Sequence, residues 1–182
     1  MPDREFACHA FSEISLHILD AAFNSIDAGA TLISISVAED ESSVCFVISD
    51  NGCGMPPEIL EKAALPRFST KKSAGLGLYL LKTAAESAGG CFSLSSRDRL
   101  HFPDAPGTVT SASFKKGALP LGRLSETVMT LIQAAPSVDF LVTCTSPAQF
   151  VSLDTRKLRE ILGDVPLNSP GVLRWIKESL TP

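Results

Sequence analysis

Val44-Cys45-Phe46-Val47-Ile48-Ser49-Asp50-Asn51-Gly52-Cys53-Gly54-Met55 runs from five β-forming residues into an acid and then two glycines, with Pro56-Pro57 behind it. A carboxylate at the end of an apolar strand loses part of its water and needs hydrogen-bond donors in exchange. Glycines at such a point supply unusual backbone angles, or let a ligand come close to the main chain. Two readings follow. The stretch is either a strand closed by a tight Asp-Asn-Gly turn, or an edge built to receive a ligand that carries an amino group.

The remainder of the 182 residues sets the frame. Hydrophobic residues make up 45% and charged residues 20%, the balance of a globular chain able to fill a core. A net charge of -4 argues against nucleic acid as a partner, because neutralising phosphates takes clustered Lys and Arg. The sequence has no unbroken apolar stretch of bilayer length, so no membrane association is expected. Met1-Pro2-Asp3-Arg4-Glu5 carries both signs of charge, unlike a signal peptide. The five cysteines are scattered and form no Cys-x-x-Cys, which points to a reducing, cytoplasmic setting.

Upstream of the opening stretch, a short strand is expected over Phe6 to Ser12, and a helix from Ser12 to Ala28 with Ser12 as N-cap and Gly29 at its end. Asp20 and Asn24 stand four apart on it and share a face. Leu32 to Val37 and Val44 to Ile48 read as an antiparallel hairpin, and Pro56 to Ala64 as a short helix. A polar, basic segment, Pro66 to Ala74, leads into Gly75-Leu76-Gly77-Leu78 and a helix to about Ala88. Glycines opening a helix beside lysines suit an anion, since free amides and the helix dipole both favour one. Strands are expected over Cys91 to Ser96 and Thr108 to Phe114. After Gly117 come a helix over Leu124 to Ala134, a hairpin over Val138 to Leu153, and helices over Thr155 to Leu162 and Pro170 to Leu180. His17 is read as packing or surface, Cys53 as a small apolar filler and Trp175 as core.

An acid and an Asn four apart on a helix, Asp-Asn-Gly-Cys-Gly-Met after a strand, a basic segment, Gly-Leu-Gly-Leu opening a helix and Gly107-Thr108 opening a strand resemble, in that order, the GHKL ATPase superfamily. Its members include DNA gyrase, the large heat-shock chaperones, sensor histidine kinases and MutL. The resemblance spans about residues 10 to 115. It implies a two-layer α/β sandwich of the Bergerat type: a mixed, mostly antiparallel sheet with helices on one face. Residues 1–116 would form this ATP-binding domain, and 117–182 a small C-terminal α/β extension of unassigned role.

The same likeness implies a role for each motif residue. Asn24, in Asn24-Ser25-Ile26-Asp27-Ala28-Gly29, would ligate Mg2+ between the nucleotide phosphates. Asp20 stands where hydrolysing members carry a glutamate base, one methylene longer. Asp50 would accept the adenine amino group, with Gly52 and Gly54 giving room and Met55 packing on the base. Ser69, Thr70, Lys71 and Lys72 would form a short lid, Lys71 reaching the terminal phosphates. Gly75, Leu76 and Gly77 would place amides on the phosphates, and Thr108 would support adenine through water. Two departures from the family pattern are Ser73, where many kinases have glycine, and Asp27, where kinases often have a base.

Function is read accordingly. ATP or ADP with Mg2+ is the expected ligand, and a regulatory ATPase or a protein kinase acting on a partner protein is the expected activity. Two alternatives stay open: a nucleotide sensor that does not hydrolyse, and a MutL-like ATP-driven switch, for which a homodimer is also open.

Overall fold

The computed structural model of the protein describes residues 12–66, 68 and 76–180. Its strands are β1 (Leu32–Glu39), β2 (Ser43–Asp50), β3 (Phe92–Arg97), β4 (Gly107–Lys115), β5 (Asp139–Thr145) and β6 (Phe150–Asp154). They form one sheet in the order β3-β4-β2-β1-β5-β6. Neighbours run antiparallel except β1 and β5, which are parallel. The helices are α1 (Ile14–Asp27), α2 (Pro57–Leu60), α3 (Gly77–Ser87), α4 (Leu124–Ala134), α5 (Thr155–Leu162) and α6 (Pro170–Leu180). The expected mixed, mostly antiparallel α/β sheet is therefore present, and so are the expected hairpins and helices. The strand anticipated from Phe6 falls outside the described residues.

Alternation along the strands explains the layering. Ile33, Ile35 and Val37 of β1, Val44, Phe46 and Ile48 of β2, and Phe140 and Val142 of β5 are all buried. Side chains two apart share one face of a strand, so this set forms a single apolar surface under the helices. Ile14, Ile18, Ala21 and Ala22 of α1 cover it, and so do Leu124, Val128, Leu131 and Ile132 of α4. The alternate residues, such as Ser36, Val47, Ser93 and Val109, stay exposed on the other face. The segment from residue 117 adds β5 to the free side of β1, from Leu32↔Asp139 to Ala38↔Thr145. Among the described residues no helix is long and apolar enough to cross a membrane.

The end of α1 is as the sequence suggests and its start is not. Gly29 sits at φ 73, its amide donating to Ile26 and that of Ala30 to Ser25. This is the left-handed closure that glycine makes easy. At the other end Ser12 is not the cap: the helix begins at Ile14, with Glu13 at the N-cap position and no side-chain cap bond. The amides of Ile14 and Ser15 instead donate to the carbonyls of Pro120 and Leu121. A loop from beyond β4 caps the helix, so no local cap is needed.

Two single residues sharpen the core. His17 is buried and stacks on Phe114, with ring centroids 6.3 Å apart. Burial lowers its pKa from 6.5 to about 4, so it is a neutral packing residue at ordinary pH. Trp175 was expected in the core but is 52% exposed. Val172, Leu173, Ile176 and Leu180 form the buried stripe of α6, and position 175 falls on its flank.

Candidate functional site

β2 delivers Asp50 on the helix side of the sheet, in the same alternation as Ile48 and Phe46. There the carboxylate meets three donors. Ser25 Oγ of α1 donates to Oδ2 at 2.6 Å. The Gly52 amide reaches Oδ1 at 2.9 Å, and the Thr108 amide, at the start of β4, reaches it at 3.2 Å. All three partners donate, and a carboxylate oxygen accepts. The acid of the opening stretch is thus held from a helix, a turn and a second strand at once.

The glycines around it are set by contact as well as by angle. Gly54 lies at φ 68, and a side chain there would drive into the Arg97 carbonyl. Gly107 lies at φ 145, against the Asp50 carbonyl. A Cβ at Gly52 would approach Ala28 Cβ to 2.9 Å. At Gly54 and Gly107 these are close approaches of backbone to backbone, which only glycine permits. Asn51 fixes the turn from the far side: its Oδ1 accepts from the amides of Thr31 and Leu32, and its Nδ2 donates to Thr31 Oγ1. Met55 is half-buried, and its amide donates to Ser96 Oγ at 2.8 Å. Ser96 Oγ lies 2.9 Å from Thr108 Oγ1 and donates to the Gly107 carbonyl. Gly52 and Thr108 thus bond Asp50 directly, Met55 is joined to Thr108 through Ser96, and Gly54 lies against Arg97.

Farther along α1 stand Asp20 and Asn24. Asn24 is exposed, and its Nδ2 donates to Asp20 Oδ2 over 3.5 Å. Burial raises the pKa of Asp20, against the opposing effect of the Asn24 bond. The carboxylate packs against the Cα of Gly77, the first residue of α3. The N-cap residue of α3, Leu76, has no side-chain oxygen, and among the described residues no side chain caps the helix start. The first-turn amides of a helix favour an anion. Asp20, Asn24, Leu76 and Gly77 accordingly cluster farther along α1, against the start of α3. Ser69, Thr70, Lys71, Lys72, Ser73 and Gly75 lie outside the described residues. Asp27, one of the departures, is exposed, and so is Cys53.

Three contributors were not singled out from sequence. Ser25 had a signal: a small hydroxyl on the buried side of α1, next to Asn24. Asn51 lay within the motif, but its partners Thr31 and Leu32 are tertiary. Ser96 had only strand alternation to mark it, and its bonds to Met55 and Thr108 arise from the β3–β4 pairing. A separate groove of about 420 Å³ between α1 and α4, lined by Glu13, Leu16, Arg123 and Glu126, shares no residue with this site.

Residues 3–118 match the family described as histidine kinase-, DNA gyrase B-, and HSP90-like ATPase. A protein described as a putative sensor histidine kinase NtrY-like, from Rickettsia conorii, is 31% identical over 100 residues, covering 52% of this chain and 16% of that protein. Sporulation kinase A of Bacillus subtilis is 30% identical over 105 residues, 57% of this chain and 16% of its own. The chain thus spans about a sixth of the length of these curated relatives. Among solved structures, the ATPase domain of Aquifex aeolicus MutL, complexed with ADP, aligns at a TM-score of 0.57 and 17% identity, over 84% of this chain and 70% of that one. The N-terminal domain of a DNA repair protein aligns at 0.57 and 20% identity, over 97% and 59%. At these identities the two structures speak for the fold. The family match covers well over half of the chain and contains both Asp50 and Asp20 with their neighbours, and the chain belongs to the histidine kinase-, DNA gyrase B-, and HSP90-like ATPases.

Proposed function

We propose that the chain binds ATP or ADP in the cleft between α1, the β2 turn and α3, and works as a regulatory ATPase or a protein kinase acting on a partner protein. The observation that carries this is Asp50: a carboxylate at a strand end, bonded by three protein donors and walled by three glycines. Such a group can accept one more hydrogen bond from a planar ligand that slides against bare backbone. The adenine amino group supplies that donor. Thr108 and Met55, joined through Ser96, would flank the base.

The second end of the cleft suits phosphates. The open amides at the start of α3 favour an anion. Asn24 fits a hard cation, since its carboxamide nitrogen is engaged by Asp20 and its oxygen is the atom left to donate. When bound, Mg2+ would neutralise phosphate charge and hold the chain of phosphates in place. Asp20, with its pKa raised by burial, is a stronger base than an exposed carboxylate and would orient a water. Lys71 and Lys72 would close over the terminal phosphate, with Ser69, Thr70 and Gly75 beside them.

The test is incubation of the purified chain with Mg2+ and γ-labelled ATP, with and without candidate protein partners. Label moving to protein marks a kinase, and free phosphate marks an ATPase. Binding with neither outcome leaves a nucleotide sensor. Absence of ATP and ADP binding would sink the reading altogether.

A further inference from the structure

We infer that Ser25 is a positioning residue for nucleotide-base recognition, setting the orientation of the Asp50 carboxylate from the neighbouring helix. This deepens the reading of Asp50 as the base acceptor and rests on it.

The Ser25 hydroxyl carries one proton. Two acceptors lie within reach: Asp50 Oδ2 at 2.6 Å and the Ala21 carbonyl at 3.4 Å. One proton serves one strong bond, and 2.6 Å is the length of a hydroxyl bonded to an ionised carboxylate. The carbonyl of a helix residue already has its i+4 amide, so it has less need of the hydroxyl. The proton therefore points at Asp50. Ser25 is itself buried, at 5% exposure, and on a helix its short side chain has few rotamers. It does not swing with a ligand.

The geometry of the carboxylate completes the point. Oδ1 is tied to the amides of Gly52 and Thr108, both on backbone. Oδ2 has Ser25 as its side-chain donor. Rotation of the carboxylate about its last bond is consequently blocked at one oxygen by main chain and at the other by a hydroxyl from α1. With all three in place the group presents a fixed acceptor to the cleft before any ligand arrives. Removing the hydroxyl leaves Oδ2 without that donor and lets the plane turn about the Oδ1 anchor. Ser25 also ties base recognition to α1, the helix that carries Asn24 and Asp20.

A packing role would affect every nucleotide alike. A positioning role would affect only those that offer Asp50 an amino hydrogen. The experiment measures dissociation constants for ATP and for purine riboside triphosphate, which lacks the amino group, on the full chain and on Ser25→Ala. ATP binding is expected to weaken about tenfold, while purine riboside triphosphate changes less than twofold. Ser25→Cys, close in size but a weak donor, is expected to keep the fold and show the same selective loss. Equal losses on both ligands, or no loss on either, would overturn the inference. Asp50→Asn serves as the control. If it leaves the preference for ATP over purine riboside triphosphate unchanged, the base-acceptor reading of Asp50 has failed. If it erases that preference while Ser25→Ala and Ser25→Cys do not, only the role of Ser25 has failed.

Discussion

The Asp50 and Asp20 ends of the candidate site are built differently. At the Asp50 end, the carboxylate and its turn are locked by main chain: two amides on Oδ1, glycines pressed against the carbonyls of Arg97 and Asp50, and Asn51 bonded across to Thr31 and Leu32. At the Asp20 end, two side chains meet over a long 3.5 Å bond, and Asn24 stands in solvent. One end is fixed by folding, whereas the other is left adjustable. A ligand's base needs a single shape, but phosphates and a metal change during a reaction, so the adjustable end is where chemistry would take place. Substitutions at the first end should therefore cost stability, and substitutions at the second should alter ligand behaviour in a fold that survives.

The largest effect is expected from Gly54→Ala. The residue is at φ 68, and its new methyl would enter the Arg97 carbonyl, which belongs to β3 and cannot move alone. The left-handed conformation and the clash together should cost at least about 3 kcal/mol. Thermal or denaturant unfolding measures it. A loss below about 1 kcal/mol would show that this turn is not rigid, and the contrast between the two ends would fall with it.

Acid should give the next largest change, and it probes the root that α1 shares with both ends. His17 is held at about 4 in the folded chain by burial, against 6.5 when exposed. Between those values the unfolded chain takes up a proton that the folded chain refuses. This contribution to stability is whole above about pH 6.5, falls as the pH drops, and levels off below about pH 4. The loss should approach about 3 kcal/mol. His17→Phe, which keeps an aromatic ring against Phe114, should flatten that part of the stability curve. An unchanged slope in the variant would assign the acid loss to other groups.

How much of this the sequence disclosed follows the same division. The strand into Asp50, the glycine turn and the helix carrying Asp20 and Asn24 were legible because each is local: β-formers, glycine and an i, i+4 pair all declare themselves within a few residues. What was not legible is tertiary. The cap of α1 comes from Pro120 and Leu121, nearly the whole domain away. Ser25 and Ser96 look like ordinary small polar residues until α1 and β3 bring them to Asp50 and Thr108. Trp175 was misplaced because a helix with four regularly spaced apolar residues has no need of a fifth. The parallel pairing of β5 with β1 joins strands about a hundred residues apart, and no local pattern encodes it.

At the adjustable end, Asn24→Ala removes an exposed side chain with one long bond. Stability should change by less than about 0.5 kcal/mol. ATP affinity in the presence of Mg2+ should fall about fivefold, a loss of about 1 kcal/mol, while affinity in EDTA should stay the same. A loss of equal size with and without the metal would remove Asn24 from the cation site.

One last pair of substitutions separates the two ends most cleanly. Gly77→Ala looks as severe on paper as Gly54→Ala, since a methyl at either position meets an atom well inside contact distance. The atom differs in kind. At Gly54 it is a backbone carbonyl, while at Gly77 it is the end of the Asp20 side chain, which can turn aside. Gly→Ala at a backbone angle alanine can adopt also restricts the unfolded chain, a gain of about 0.4–1 kcal/mol that offsets the cost of moving Asp20. Unfolding free energy should thus stay within about 1 kcal/mol of the parent. Nucleotide affinity should hold too, because the α3 amides are unchanged. Turnover is what should suffer: with Asp20 displaced from its place against α3, release of labelled phosphate should drop about tenfold or more. If turnover is kept and stability is lost, then Gly77 is a structural glycine like Gly54, and the second end is as rigid as the first.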